Sequence, residues 1–209
     1  MGTKPVKIAC IGDSLTEGYH IFGRAFHPYS IKLQQLLDAQ YGPSKFVTRN
    51  FGISGETTDQ ILHRMKHEQE LDMLECEVWI ILAGTNDLGG RDDVRITKNL
   101  QRMHEIAKTN KKTTLALTIP QHRLDSQFEW LPKIRNTVNQ NLVDFCRQNS
   151  IAVVDFEKLI PYGAMSDEDR SKYWDDGLHL KPAGYNRLAE IIWDVLKPIL
   201  DSLLKQSNS

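Results

Sequence analysis

The run at residues 78–82, Val-Trp-Ile-Ile-Leu, is apolar at every position and constrains the fold more than any other stretch. A strand with one solvated face alternates apolar and polar residues, whereas a strand buried on both faces is apolar throughout. Strands of the second kind are typical of parallel sheets that helices cover on each side. We therefore expect this run to be a central strand of a parallel β-sheet in an α/β protein.

Short apolar runs and amphipathic helical segments alternate along most of the chain. Residues 29–41, for example, carry apolar side chains at helical spacing and stop before Gly42-Pro43, a pair that ends helices. The predicted strands cover residues 6–11, 46–51, 78–82, 114–119 and 151–154. This alternation predicts a single domain over residues 1–209, with three α/β/α layers and about five parallel strands. Residues 206–209 are predicted to be a frayed tail.

The last helical segment carries a proline within its apolar repeat. Apolar residues recur at helical spacing from Leu188 to Leu203, and Pro198 lies between them. A proline inside a helix has no N–H to bond to the carbonyl of Asp194, and its ring crowds the preceding turn. We therefore expect Pro198 to kink or divide this helix.

The charge balance argues against a nucleic-acid partner. The chain of 209 residues carries 26 Lys and Arg against 27 Asp and Glu, so its formal net charge is -1 at pH 7. A nucleic-acid-binding domain usually shows a basic excess, so we expect no nucleic-acid partner. No apolar run approaches the roughly 18 residues of a membrane span, so we expect no such span either.

The cysteines and the N-terminal residues bear on the cellular compartment of the protein. Cys10, Cys76 and Cys146 lie far apart without CxxC spacing, which predicts buried, reduced side chains. Residues 1–7 contain no apolar run long enough for a signal peptide. These features favour the cytoplasm, and a secreted form whose leader has been removed is the alternative.

Four polar clusters interrupt the alternating pattern. Three directly follow predicted strands: Gly12-Asp13-Ser14, residues 52–57 and residues 84–87. The fourth, residues 174–179, ends the long connection after the last predicted strand. The carboxyl ends of parallel strands share one edge of the sheet, and ligands bind at that edge in open α/β folds. We therefore expect all four clusters to converge on one site.

The side chains in these clusters are those that acyl transfer requires. Serine is a weak nucleophile until a base removes its proton, and a histidine held by a carboxylate is the usual base. Asp176 and His179 are three residues apart, so the carboxylate can reach Nδ1 of the ring while Nε2 faces Ser14. Candidate donors to a developing oxyanion are the N–H groups of Ser14 and Gly55 and the amide of Asn86. The alternative for each residue is a structural role in a turn.

With these motifs the chain resembles the SGNH hydrolases, a family that includes the GDSL-type esterases and lipases. The blocks read GDSLTEGY, NFGISGETT, GTND and DDGLHLKPAGY, in the order that the family shows. The four namesake residues of the family match Ser14, Gly55, Asn86 and His179. Many members have proline directly after the histidine, whereas here Leu180-Lys181 intervene, a departure expected to alter the start of the last helix more than the chemistry.

The resemblance implies a flavodoxin-like sheet with strand order 2-1-3-4-5 and a serine-dependent ester hydrolase that needs no cofactor. It also implies that Asp176 rather than Asp175 orients the histidine, and that Gly55 rather than Gly52 supplies an oxyanion donor. We expect small or short-acyl esters as substrates. Thioesters, lysophospholipids and acetylated sugars are alternatives, and a non-catalytic flavodoxin-like binding module is a further one.

Aromatic residues and one further histidine flank the predicted site. Tyr19, His122, Trp130 and Trp174 are candidate substrate contacts, and packing is the alternative for the aromatic ones. The acidic residues and histidines on this edge have no compact ligand spacing such as HExxH, so we expect no metal site.

Overall fold

The computed structural model describes residues 4–66 and 71–206 of the chain. The strands are β1 Val6–Gly12, β2 Tyr19–His20, β3 Ala25–Phe26, β4 Phe46–Gly52, β5 Val78–Leu82, β6 Thr113–Leu117 and β7 Ala152–Val154. The α-helices are α1 Ser14–Glu17, α2 Tyr29–Tyr41, α3 Thr58–Lys66, α4 Leu71–Leu74, α5 Asp93–Thr109, α6 Trp130–Gln148, α7 Phe156–Leu159, α8 Asp167–Tyr173 and α9 Pro182–Gln206. Thr85–Gly90 and Arg123–Ser126 are 3₁₀ turns. Of the predicted tail, Gln206 ends α9 and residues 207–209 lie outside the described residues.

Five parallel strands form the central sheet, in the order β4-β1-β5-β6-β7. Counted without the short strands β2 and β3, this is the order 2-1-3-4-5, so the predicted flavodoxin-like α/β fold is confirmed. Every residue of β5 is buried, as its continuous apolar run indicated. Gly12 at the end of β1 lies beside Gly52 of β4 and Leu82 of β5. The loops that follow these three strands therefore leave the sheet side by side.

Helices cover both faces of the sheet, because alternate side chains of each strand point to opposite faces. On one face, Ile8 and Cys10 of β1 belong to a buried cluster with apolar residues of α2 and α9. On the other face, Ala9 and Ile11 belong to a cluster with residues of α3, α5 and α6. These two apolar layers fix the strand ends, and thereby the loops that carry the polar clusters.

Two features depart from the expectations. β2 and β3 pair as a small antiparallel hairpin that the sequence pattern did not predict, since its turn lacks the Asn-Gly or Asp-Gly pair that signals a tight hairpin. Pro198 does not divide the last helix, because α9 continues through it, and the alternative of a kink at this position stays a prediction. The burial of Leu196 and Leu200 on either side offsets the hydrogen bond that the proline removes.

The start of α9 shows how the chain accommodates the residues between His179 and the proline. Leu180 is buried and forms an isolated bridge with Trp174. Pro182 then occupies the first position of α9, where a helix has no use for a backbone N–H. Neither α9 nor any other helix in the described ranges is long and apolar enough to cross a membrane.

Candidate active site

The candidate nucleophile lies where β1 passes directly into α1. Asp13 is the N-cap of α1, and its Oδ1 accepts a hydrogen bond from the N–H of Leu15 at 3.0 Å. Ser14 is the first residue of the helix and is 6% exposed. A Cβ on Gly12 would lie 2.1 Å from the carbonyl oxygen of Leu82, so only glycine fits at the end of β1. Close packing against β5 thus determines where the serine hydroxyl lies.

Ser14, His179 and Asp176 form a continuous chain of hydrogen bonds. The distance from His179 Nε2 to Ser14 Oγ is 2.8 Å, and that from His179 Nδ1 to Asp176 Oδ2 is also 2.8 Å. Asp176 Oδ1 accepts hydrogen bonds from the N–H groups of Leu178 at 3.0 Å and of His179 at 2.8 Å. Gly177 takes a left-handed φ of 86°, which bends the backbone so that one carboxylate meets both the ring and these amides.

The charge of Asp176 determines which nitrogen of the His179 ring carries a proton. Burial raises the pKa of Asp176, but hydrogen bonds from the His179 ring and from the N–H groups of His179 and Leu178 lower it by more, so it lies well below its usual range. An ionised carboxylate only accepts hydrogen bonds, so Nδ1 of the ring is the donor. In the neutral ring Nε2 then presents its lone pair to Ser14 Oγ, as a base does beside a nucleophile.

The three predicted oxyanion donors come from separate loops. Within residues 4–66 and 71–206, the N–H groups of Ser14 and Gly55 have no hydrogen-bond acceptor. Gly55 takes a left-handed φ of 84°, and the space where a Cβ would lie is open. Asn86 Nδ2 donates to the carbonyl oxygen of Glu56 at 2.8 Å. This bond uses one of the two hydrogens of the amide, so the second can donate to an oxyanion.

Carboxylates tie these loops to their neighbours. Glu17 in α1 accepts a hydrogen bond from the N–H of Ser54 at 2.9 Å, next to Gly55. Asp87, next to Asn86, accepts from both the N–H and the hydroxyl of Thr58, at 2.8 and 2.7 Å. Hydrogen bonds therefore connect the loop after β4 with the loops after β1 and β5, and these bonds help to fix the position of each loop.

Of the candidate substrate contacts, Tyr19 lies at this site and Trp174 lies in the core. The ring centroid of Tyr19 is 4.4 Å from that of His179, with an angle of 39° between the planes. Trp174 is 3% exposed and packs against Phe156 and Tyr162. Its rings therefore pack mainly against other side chains, and a substrate contact by Trp174 stays a prediction.

The other two candidates lie on the loop after β6 and at the start of α6. His122 Nδ1 accepts a backbone N–H at 2.9 Å, and burial lowers the pKa of His122, so the neutral ring carries its proton on Nε2. The neighbouring Arg123 donates its N–H to the carbonyl of Gly177 at 2.8 Å, which pins this loop to the one that carries Asp176. Trp130 begins α6 and is covered by the guanidinium of Arg91, 4.2 Å from its ring centroid.

Sequence reasoning missed two carboxylates that contact the site. Glu17 holds the loop of Gly55, and although it lies in the GDSLTEGY block, nothing in that block indicates Ser54 as its partner. Asp175 donates its N–H to the carbonyl of His179 at 2.8 Å, and its Oδ2 accepts from the N–H of Ile21 at 2.7 Å. The Asp-Asp pair is visible in the sequence, but its partner in the early hairpin is not.

The described residues provide no candidate metal centre. Among them, no group of three or more His, Cys, Asp or Glu side chains could hold a metal ion. Cys10, Cys76 and Cys146 are buried and free of disulfides, as their sequence context predicted.

Comparison with known proteins identifies relatives along most of the chain. A family model described as "GDSL-like Lipase/Acylhydrolase family" matches residues 10–187. An acetylxylan esterase from Xylanibacter ruminicola is 26% identical over an alignment that covers 92% of this chain and 43% of the relative. The chain thus spans less than half the length of that curated relative.

Solved structures share the fold. The crystal structure of a lipase/acylhydrolase from Enterococcus faecalis superposes with a TM-score of 0.75 at 23% identity, covering 92% of this chain and 96% of that one. That of an acetylxylan esterase from Geobacillus stearothermophilus, a catalytic mutant, gives a TM-score of 0.71 at 18% identity, with coverage of 91% and 94%. At these identities the likeness concerns the arrangement of strands and helices.

Proposed function

The chain belongs to the GDSL-like lipase/acylhydrolase family, and on that premise we propose that it is a serine-dependent carboxylic-ester hydrolase. The observation that carries the proposal is the hydrogen-bonded chain from Asp176 through His179 to Ser14, with 2.8 Å at each ring nitrogen. Nucleophile, base and orienting acid are the three parts that acyl transfer to serine needs.

In the first half of the reaction, Ser14 Oγ attacks the ester carbonyl carbon while His179 Nε2 takes the hydroxyl proton. Asp176 keeps the proton on Nδ1 and stabilises the imidazolium that forms. The carbonyl oxygen becomes an oxyanion, which accepts hydrogen bonds from the N–H groups of Ser14 and Gly55 and from the amide of Asn86. In a well-studied protease, one such donor is worth roughly 3–4 kcal/mol of transition-state stabilisation.

In the second half, His179 gives its proton to the leaving alcohol and the acyl-serine remains. Water then attacks the acyl carbon as His179 removes its proton, and the second tetrahedral intermediate collapses to release the acid. His179 returns the proton to Ser14 Oγ, so the enzyme ends in its starting state. The cycle uses only water and the groups of the chain.

We infer that the substrates are small or short-acyl esters. Because a curated relative is named as an acetylxylan esterase, removal of acetyl groups from a carbohydrate is the favoured second candidate. Thioesters and lysophospholipids are two further candidate substrate classes. Relative kcat/KM on a panel of acetyl-sugar, aryl acetate, aryl butyrate, thioester and lysophospholipid substrates distinguishes them.

The proposal is tested with Ser14→Ala on a short activated ester such as 4-nitrophenyl acetate. We expect the variant to lose turnover and covalent labelling by an organophosphonate while its circular dichroism matches that of the wild type. Turnover that persists in the folded variant would refute the role of Ser14. If the wild-type protein neither hydrolyses the ester nor reacts with the organophosphonate, the result would instead favour a non-catalytic flavodoxin-like binding module.

A further inference from the structure

Asp175 connects the loop that carries Asp176 and His179 to a distant part of the chain. Its backbone N–H donates to the carbonyl oxygen of His179 at 2.8 Å. Its Oδ2 accepts from the N–H of Ile21 at 2.7 Å, across 154 residues of sequence. One residue thus contacts the backbone of the histidine on one side and the β2–β3 hairpin on the other.

The hairpin needs such an anchor because its turn is strained. Ile21 and Phe22 take left-handed φ values of 50° and 53°, which β-branched and bulky residues rarely adopt. Phe22 is 80% exposed, so packing of its side chain contributes little to holding the turn. The hydrogen bond from Ile21 to the Asp175 carboxylate, a charge-assisted one, lies directly at the strained residue.

The same hairpin carries the ring that covers the histidine. Tyr19 opens β2, and its ring lies 4.4 Å from that of His179. The hydroxyl of Tyr185 in α9 donates to the carbonyl of Tyr19 at 2.8 Å, which fixes the first residue of β2. Asp175 fixes the turn two residues later. The backbone that carries the Tyr19 ring is therefore fixed at two points, Tyr19 and Ile21.

We propose that Asp175 is a positioning residue, which holds the β2–β3 hairpin so that the Tyr19 ring keeps the His179 imidazole in line with Ser14. The expected effect on kcat rests on the proposed ester hydrolysis. It assigns Asp175 no contact with substrate. Its neighbour Asp176 orients the ring through Nδ1, whereas Asp175 acts through the hairpin on the ring face.

The kinetic test compares Asp175→Ala with Asp175→Asn. Alanine removes the acceptor for the Ile21 N–H, whereas asparagine retains an amide oxygen for it. We expect alanine to lower kcat on an activated ester about tenfold with little change in KM, and asparagine to restore most of the loss. Asp72→Ala, at an exposed aspartate in α4, is the matched surface control. Equal losses in the two Asp175 variants would overturn the proposal.

A double-mutant cycle tests whether Asp175 acts through Tyr19. In a Tyr19→Ala background, adding Asp175→Ala should reduce kcat no further, because the ring that Asp175 positions is already absent. Losses that multiply would show that the two residues act independently, which contradicts the proposal. Thermal midpoints of all variants show that the comparison is made between folded proteins.

Proteolysis gives a readout that does not depend on activity. Arg24 is exposed in the hairpin, so trypsin cleavage after Arg24 reports how often the hairpin opens. We expect several-fold faster cleavage at this bond in Asp175→Ala than in the wild type or Asp175→Asn. Unchanged cleavage would overturn the proposal even in an inactive protein, whereas loss of the proposed function is detected separately in wild-type turnover and Ser14 labelling.

Discussion

Replacing Asp13 with asparagine should change how the stability of the protein depends on pH. Asp13 is fully buried directly before Ser14, and its Oδ2 has no hydrogen-bond partner among the described residues. Burial raises the pKa of Asp13 to about 7, against the hydrogen bond from Leu15 and the nearby His179 ring, which lower it. Asparagine has almost the same shape, keeps an oxygen for the Leu15 N–H and does not titrate.

The direction of this pH dependence follows from the number of protons that the folded and the unfolded states bind. The carboxyl has a pKa of about 7 in the folded protein against an ordinary value of 3.8, so over that interval the folded state binds more protons than the unfolded state. The free energy of unfolding therefore falls as pH rises from about 4 to about 7. A difference of about three pKa units corresponds to about 4 kcal/mol as an upper limit.

Urea unfolding of the wild type and Asp13→Asn at about pH 4.5 and 7.5 measures this effect. We expect the free energy of unfolding of the variant, relative to the wild type, to be about 3 kcal/mol higher at the upper pH. Titrating groups that do not interact with Asp13 are common to both proteins and cancel in the comparison. A difference that is the same at both pH values would show that Asp13 is ionised throughout, and would refute the reasoning.

Two further predictions concern a buried histidine and the orienting carboxylate. His104 contacts the hydroxyl of Thr114 at 2.8 Å, and burial lowers its pKa from 6.5 to about 4, so the unfolded state takes up protons first as pH falls. The wild type should therefore lose stability between pH 7 and pH 4.5, and in His104→Gln this loss should be smaller by about 2 kcal/mol, as measured by urea unfolding at both pH values. A pH dependence equal to that of the wild type would contradict the prediction. Asp176→Asn should lower kcat on an activated ester by about 10³–10⁴-fold at unchanged secondary structure, since an amide no longer holds the proton on Nδ1; near-normal kcat would contradict the role proposed for Asp176.

The parallel sheet and the meeting of the polar loops could be predicted because both follow from local pattern, whereas the strand order was implied only by the resemblance to the SGNH hydrolases. A continuous apolar run such as β5 identifies a strand buried on both faces, and the carboxyl ends of parallel strands share one edge. The contact between Asp176 and His179 is similarly local, because a single bend at Gly177 brings the two side chains together.

Contacts between distant segments could not be predicted in the same way. Trp174 adjoins the polar cluster in sequence, yet it packs in the core against Phe156. Tyr19 lies in a hairpin without a turn signature, yet its ring meets His179. Asn86 is already bonded to the carbonyl of Glu56, a partner that depends on how the loops after β4 and β5 approach each other.

By itself the amino-acid sequence determined the class of fold, the edge of the sheet that carries the site and the residue types that meet there. The tertiary structure alone decided which neighbours hold those residues, as when Asp175 accepts a hydrogen bond from Ile21, 154 residues away. The physical reason is that apolar periodicity is a property of neighbouring residues, whereas such a contact depends on how helices and loops pack over both faces of the sheet.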